Sequence, residues 1–109
     1  MSFVATENKG FGITFENGFG ISVQWGTMNY CEKKNLGAEY KDEMKTPRWE
    51  SRTAEIAVYK GKEFIDIGGD DGTVIGWCSP DEVAKCIAIV SVDDTTENEI
   101  REKIKSLKI

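Results

Sequence analysis

Side chains that suit ligand binding are concentrated just after a predicted β-strand of alternating apolar residues. Trp25 has a flat face on which another ring could stack, as nucleobases do on aromatic side chains. Asn29 and Tyr30 follow closely and offer an amide and a phenol for hydrogen bonds. The structural alternatives stay open at this point: a core tryptophan at the sheet edge, a turn asparagine and a packing tyrosine. Because loops on a rigid sheet often carry binding groups, we expect all three residues to bind a ligand.

A second polar and aromatic segment, residues 48–53, leads into the next predicted strand. Arg48 and Arg52 have the planar guanidinium that forks onto phosphate or carboxylate groups. Ser51 and Thr53 are predicted to alternate outward from the sheet, where they could donate further hydrogen bonds; the alternative is an ordinary polar face. The predicted ligand-binding residues are Trp25, Asn29, Tyr30, Arg48, Trp49, Ser51, Arg52 and Thr53.

The sequence contains no histidine, which narrows its chemistry. Ser-His-Asp and Cys-His catalysis are excluded, so Cys31 has no histidine base, although a nearby lysine could lower its pKa. The Cys-x-x-Cys spacing of zinc sites is also missing, and Asp70 and Asp71 stand between glycines in a predicted turn. We therefore expect no catalytic residue, no metal and no cofactor, and we predict a binding protein rather than an enzyme.

Length, cysteine content and hydropathy predict one small cytoplasmic domain. The 109 residues are enough for a single modest core. No segment approaches the roughly 20 apolar residues that span a bilayer, so no membrane partner is expected. The three cysteines lack a pairing pattern, and the amino terminus lacks the features of a signal peptide.

The charge of the chain limits its partners. A net charge of −5 disfavours long nucleic acid, which needs clustered cations to neutralise phosphates. Lysines and arginines within residues 33–52 could still hold a small anion. Acidic residues share that stretch, however, so a solvated loop of mixed charge is the alternative.

The first hairpin has a predictable register. A two-residue turn at Asn17-Gly18 would place the apolar residues of the two strands on opposite faces, which is costly for a sheet with one buried side. A three-residue loop ending in a left-handed Gly18 instead pairs Phe15 with Phe19 and Ile13 with Ile21. We therefore predict the three-residue loop.

A second hairpin and a fifth strand are predicted after the long connection. Turning at Lys60-Gly61, the chain is expected to pair Ile56 with Ile65 and Ala54 with Ile67. Pairing Ile65 with Ile75 would then put Thr73 and Trp77 on the same apolar face. The result is an antiparallel sheet of about five strands, two hairpins plus one, over residues 11–77.

The carboxyl-terminal third supplies the helices that should cover this sheet. Ser79, Pro80 and Glu82 form a strong helix start, a capping box with proline at the first helical position. Thr96 and Glu99 predict a second start. We therefore expect one α+β domain spanning residues 1–109, with helices at about 80–91 and 96–108 and a long loop at 27–50 that includes a short helix over 36–44.

An ordered set of short motifs runs through roughly residues 11 to 90. The motifs are Asn17-Gly18, Ser22-Val23-Gln24-Trp25-Gly26, Asn29-Tyr30-Cys31, Glu50-Ser51, Thr53-Ala54-Glu55-Ile56-Ala57, Gly76-Trp77 and Ser79-Pro80-Asp81-Glu82-Val83. Together they resemble a family of small, mostly uncharacterised proteins encoded by tailed bacteriophages. Lys33-Lys34, the segment from Leu36 to Pro47 and the final helix depart from that pattern.

The resemblance implies a function in countering host defence, as small phage proteins without a catalytic set often do. The expected activity is sequestration of a cyclic nucleotide or ADP-ribose derivative in the host cytoplasm, by a homo-oligomer whose subunits share the pocket. The alternative is a protein-interaction inhibitor or accessory factor that covers a host protein through a sheet edge or apolar patch. A small metal-dependent hydrolase of a phosphorylated signal is a third reading.

Overall fold

The structure is a computed structural model that describes residues 1–6, 9–34, 48–69 and 72–107. Within these ranges the chain forms one antiparallel six-stranded sheet followed by two helices, which confirms the predicted α+β class. The predicted helix over 36–44 lies outside the described residues. The strands are β1 (Ser2–Ala5), β2 (Gly10–Thr14), β3 (Phe19–Gln24), β4 (Ala54–Lys60), β5 (Glu63–Phe64) and β6 (Val74–Cys78), and the helices are α1 (Pro80–Val90) and α2 (Glu97–Ser106).

The first hairpin, β2–β3, has the predicted register. Ile13 pairs with Ile21, and the Phe15 amide donates to the Phe19 carbonyl at 2.8 Å. Gly18 closes the loop with a φ of +90°, a left-handed conformation that favours glycine. A feature that the sequence did not indicate then holds this loop in place: the Asn17 side-chain amide donates to the carbonyl of Val90 at the end of α1, at 2.8 Å.

The predicted register of the second hairpin is wrong by two residues. Tyr59 pairs with Phe64, and the Ile65 amide donates to the Val58 carbonyl at 2.9 Å. The two-residue turn lies one residue later than expected, at Gly61-Lys62, where Gly61 adopts a positive φ of +62°. A shift of two leaves each side chain on its expected face, so Ile65 and Ile67 are still buried.

The predicted pairing of β6 is also wrong. β6 pairs with β4, where Ile75 lies opposite Ile56, and Ala54 lies opposite Cys78. β5 is only two residues long and leaves the first half of that edge of β4 open for β6. One extra residue on β6 forms a bulge, so that Trp77 has a φ of +53° and is 52% exposed instead of joining the apolar face.

The sheet also begins earlier than the predicted residue 11. β1 adds an edge strand that pairs with β2 along its whole length. All four of its residues are exposed, so it shows no alternation that hydropathy could reveal.

The helices begin where their capping residues predict. The Ser79 hydroxyl accepts from the Glu82 amide, and the Glu82 carboxylate accepts from the Ser79 amide at 2.8 Å, which completes the box. At α2 the Thr96 hydroxyl accepts from the Glu99 amide. No helix among the described residues is long and apolar enough to cross a bilayer.

The core lies between one face of the sheet and α1, which packs on β3, β4 and β6, while α2 packs on α1. The buried side chains of this core are Phe19, Ile21, Val23, Ala54, Ile56, Val58, Ile65, Ile67, Cys78, Val83, Cys86, Val90, Ile100 and Ile104.

The opposite face of the sheet is built from small residues beneath one tyrosine. The Tyr59 hydroxyl donates to the Ile13 carbonyl at 3.2 Å and is hydrogen bonded to the Thr14 hydroxyl at 3.0 Å. A Cβ at Gly20 would lie 2.2 Å from the Tyr59 ring, whereas one at Gly12 would meet its hydroxyl at an ordinary 3.6 Å. Gly20 is therefore needed for the close approach of this ring.

We expect Gly20→Ala to lower the free energy of unfolding by about 1–3 kcal/mol, because the methyl group forces Tyr59 from its hydrogen bonds. Gly12→Ala is the matched control, and it should be neutral or stabilising by up to about 1 kcal/mol. Urea unfolding followed by circular dichroism measures both. Equal effects of the two substitutions would show that the position of the Tyr59 ring does not require a glycine at residue 20.

Candidate functional site

The connection after β3 folds back on itself through Asn29. Its side-chain oxygen accepts from the Gly26 amide at 2.8 Å, and its amide nitrogen donates to the Glu55 carboxylate, also at 2.8 Å. The Tyr30 backbone amide faces the second oxygen of Glu55 at 3.4 Å. Both the oxygen and the nitrogen of the Asn29 side chain are therefore used in hydrogen bonds that stabilise this connection.

A second set of bonds joins this connection to the segment that enters β4. The Glu32 carboxylate accepts from the Arg52 backbone amide at 2.9 Å and from Arg52 Nε at 2.8 Å. These bonds from Arg52 hold the pKa of the Glu32 carboxyl below its usual value. The Glu32 amide in turn donates to the Thr53 hydroxyl at 2.8 Å. One edge of the Arg52 guanidinium is thereby fixed, although its side chain is 91% exposed.

Two tryptophans complete the connection by binding each other's backbone. The Trp25 indole N–H donates to the Trp49 carbonyl at 3.2 Å, and the Trp49 indole N–H donates to the Trp25 carbonyl at 2.9 Å. Lys33 Nζ lies 5.4 Å from the centre of the Trp49 ring. These two hydrogen bonds thus join the end of β3 directly to the segment that enters β4.

A cavity of about 320 Å³ lies beside the Trp25 ring, between the sheet and the first half of α1. Phe11 packs edge-on against Trp25 with ring centres 6.1 Å apart, so the two rings form one wall. The residues that line the cavity are Phe11, Val23, Trp25, Ser51, Arg52, Thr53, Ala54, Cys78, Pro80, Val83, Ala84 and Ile87.

The lining of this Trp25 cavity is mostly apolar with one polar side. Ser51 donates its hydroxyl proton to the Thr53 carbonyl at 2.6 Å, which orders that side. Among the described lining residues, Arg52 carries the only charge, and the Glu32 carboxylate next to the lining pairs with one edge of its guanidinium. The arrangement suits a flat apolar group inside and an anion at the mouth.

The thiols of the structure are protected from ionisation. Burial raises the pKa of Cys78, at the cavity wall, to about 12 and that of Cys86 to about 11. Burial also raises the pKa of Cys31, whose thiol donates to the Gly26 carbonyl at 3.5 Å. None of these groups is a thiolate near neutral pH. Within the described residues, no group of three or more acidic, cysteine or histidine side chains could hold a metal ion.

The structure brings together four of the eight predicted site residues, Trp25, Ser51, Arg52 and Thr53, at the cavity. Trp49 is not a lining residue, but its hydrogen bonds with Trp25 hold that ring in position. Asn29, Arg48 and Tyr30 do not line the cavity. The Asn29 side chain is used by its hydrogen bonds to Gly26 and Glu55, and the exposed Arg48 side chain pairs with Glu50. The exposed Tyr30 ring packs against Trp77 at 5.6 Å between ring centres.

Sequence reasoning missed the apolar part of the lining. In the sequence, Val83 and Ile87 recur at helical spacing and Phe11 alternates with Ile13, so all three read as ordinary core residues. They line a cavity because α1 does not cover the sheet completely, and helix position on a sheet is a tertiary property without a local signal.

No protein-family model, curated protein or solved structure matches this chain. The geometry of the Trp25 cavity therefore carries the functional conclusion.

Removing one half of the tryptophan pair should measure how much the connection depends on it. We expect Trp49→Phe to lower the free energy of unfolding by about 1–2 kcal/mol, because the Trp25 carbonyl loses its donor. Trp77→Phe is the control: that ring is half exposed and has no indole hydrogen bond among the described residues. Its effect should stay within about 0.5 kcal/mol, as for an ordinary surface change. Equal losses in urea unfolding would contradict the role given to the pair.

The thiols predict how stability depends on pH. In the unfolded chain they ionise near their ordinary pKa of 9.0, whereas folding raises the pKa of Cys78 to about 12 and of Cys86 to about 11. The stabilisation is therefore complete below pH 9.0 and is lost as the pH rises toward these folded values.

Urea unfolding between pH 8 and roughly pH 11 should show a free energy that declines above about pH 9. The double variant Cys78→Ala/Cys86→Ala should show a shallower decline, because the remaining slope comes only from other groups. Identical slopes in the two proteins would contradict this assignment.

Proposed function

We propose that this chain binds a small anionic ligand of the nucleotide class in the Trp25 cavity and holds it without chemical turnover. The observation that carries the proposal is one juxtaposition: the cavity has an aromatic wall of Trp25 and Phe11, and Arg52 lies at its mouth. A ring would lie against the aromatic wall, and a phosphate would meet the guanidinium.

Size supports a ligand with one ring system. The volume of about 320 Å³ lies at the lower end of the range of roughly 300–1,000 Å³ found for ligand sites. The apolar floor, with Val83 and Ile87 on the helix side, leaves room for a base but offers few partners for several phosphates. A mononucleotide, or half of a larger signal, fits this description best.

Retention rather than reaction is supported by the groups around the cavity. Its thiol, Cys78, has a pKa raised to about 12 and is therefore not a nucleophile near neutral pH. The Ser51 hydroxyl donates to the Thr53 carbonyl, and the described lining residues include no carboxylate, lysine or histidine that could act as its base.

The biological setting of the proposal comes from the resemblance to tailed-phage proteins. In that setting the ligand is a cyclic nucleotide or an ADP-ribose derivative that signals infection, and the protein lowers its free concentration in the host cytoplasm. One cavity encloses one ring, so a signal with two rings would be enclosed by two copies of the chain.

Titration calorimetry with AMP, 3′,5′-cyclic AMP and ADP-ribose tests the proposal. We expect saturable binding of at least one of these probes to the full chain. Arg52→Gln should weaken it by about tenfold or more, because a hydrogen bond to a charged group contributes roughly 1.5–3 kcal/mol. Arg48→Gln is the matched control, since it removes the same charge from a nearby residue outside the cavity.

A second variant tests the cavity itself. Ala84 lines the mouth from the exposed side of α1, so Ala84→Phe should fill the entrance and abolish binding while the fold is retained. Absence of binding up to millimolar probe, or equal losses in the Arg52 and Arg48 variants, would overturn the proposal.

A further inference from the structure

The strand β1 forms a free edge of the sheet. It pairs with β2 on one side, and the described residues provide no strand on its other side. Its side chains are exposed, including 84% of Phe3 and 55% of Val4. An edge of this kind presents backbone N–H and C=O groups that a further strand can pair with.

The usual protections of an edge strand are missing from β1. The sequence Ser2-Phe3-Val4-Ala5 contains no charge and no proline, and its pairing with β2 shows no bulge. Natural proteins commonly use charges, prolines and bulges to prevent pairing at a free edge. Only the short length of β1 limits this edge, which makes it suited to a short peptide partner.

A second cavity, of about 370 Å³, lies directly beside this edge on the helix face of the sheet. Its floor includes Phe3, Ile13 and Phe15. The register places Phe3 opposite Ile13, so the exposed ring and the floor lie on the same face. An extended peptide along β1 would send alternate side chains toward this floor.

The rim of this β1 cavity is acidic. Glu16, on the hairpin loop, and Asp93, just after α1, both line it, and no lysine or arginine is among its described lining residues. The chain as a whole carries a net charge of −5, which adds to the attraction of a cation. The cavity thus combines an apolar floor with a negative rim.

We propose that β1 accepts, by strand addition, an extended peptide segment of a partner protein whose cavity-facing side chains, at every second position, include both apolar and basic residues. Backbone hydrogen bonds to β1 provide affinity, and the β1 cavity selects the alternate side chains. The apolar side chains cover Phe3 and Ile13, and a lysine or arginine meets Glu16 and Asp93 at the rim. This surface is separate from the Trp25 cavity, because the two cavities lie at opposite ends of α1.

Charge favours such a partner over a second copy of this chain. If two β1 strands paired around a two-fold axis, each would offer the other only Ser2, Phe3, Val4 and Ala5, with no basic side chain for the rim. The two acidic rims would also approach each other. A basic peptide meets both the floor and the rim.

Fluorescence polarisation with two capped, labelled six-residue peptides tests the proposal. One has the sequence lysine-threonine-valine-threonine-lysine-threonine, which places lysine and valine on the same face of an extended strand, and the other has glutamate in place of each lysine. We expect the lysine peptide to bind, to bind more weakly as salt is raised, and to slow amide hydrogen exchange at residues 2–5. The glutamate peptide should bind at least tenfold more weakly.

Matched charge variants make the test specific. Glu16→Gln/Asp93→Asn should weaken the lysine peptide by roughly threefold to tenfold, since exposed ion pairs contribute up to about 1 kcal/mol each. Asp81→Asn/Glu102→Gln changes the net charge equally at exposed positions outside the β1 cavity and should have no such effect.

Three outcomes would overturn the proposal. The first is no binding of either peptide at millimolar concentration. The second is equal weakening by both double variants. The third is self-association that protects residues 2–5 without peptide, because it would assign the edge to a second copy of the chain.

Discussion

The reciprocal hydrogen bonds of Trp25 and Trp49 are the constraint on which the candidate site depends. Each indole N–H satisfies the other residue's carbonyl, at 3.2 and 2.9 Å, so the end of β3 is tied to the segment that enters β4. That tie fixes residues 51–53 against the first half of α1, and it turns one face of Trp25 toward the cavity. Polar groups of the two rings are thereby satisfied internally, which leaves the apolar ring surface for contact with a ligand.

Both cavities follow from a mismatch between helix and sheet. A helix with its side chains is about 10–12 Å across, and strands are about 4.8 Å apart, so one helix covers about two to three strands of this sheet. α1 packs on β3, β4 and β6, and α2 packs on α1 rather than on the opposite edge of the sheet. The helix face of β2 is therefore only partly covered, and Phe11 and Ile13 become walls of cavities on either side of that gap.

Sequence reasoning succeeded where short-range chemistry decides the structure. The Ile13–Ile21 register follows from alternation and one left-handed glycine, and the start of α1 follows from Ser79 and Glu82. It failed where distant segments compete for the same edge, as at β6, and at the exposed strand β1, which buries no apolar face. At the site, both the segment around Trp25 and the segment around Arg52 were predicted to contribute ligand-binding residues. The sequence could not reveal that Glu55 engages the Asn29 amide, because strand register decides which carboxylate faces the loop.

The direction of α1 gives its two ends opposite electrostatic character. The partial positive charge of a helix amino terminus favours anions, and the partial negative charge of a carboxyl terminus favours cations, each by about 0.3–1 kcal/mol at exposed sites. Pro80, the first residue of α1, lines the cavity that has Arg52 at its mouth, whereas Asp93, just beyond the other end, lines the acidic one. The first turn of α1 also carries the carboxylates of Asp81 and Glu82, which oppose an anion at that end. At the carboxyl end, helix dipole and side-chain charge therefore have the same sign, and both favour a cation. At the amino end, the dipole and Arg52 act against the carboxylates of Glu32, Asp81 and Glu82, so the attraction of an anion to that cavity depends on direct contact with the Arg52 guanidinium.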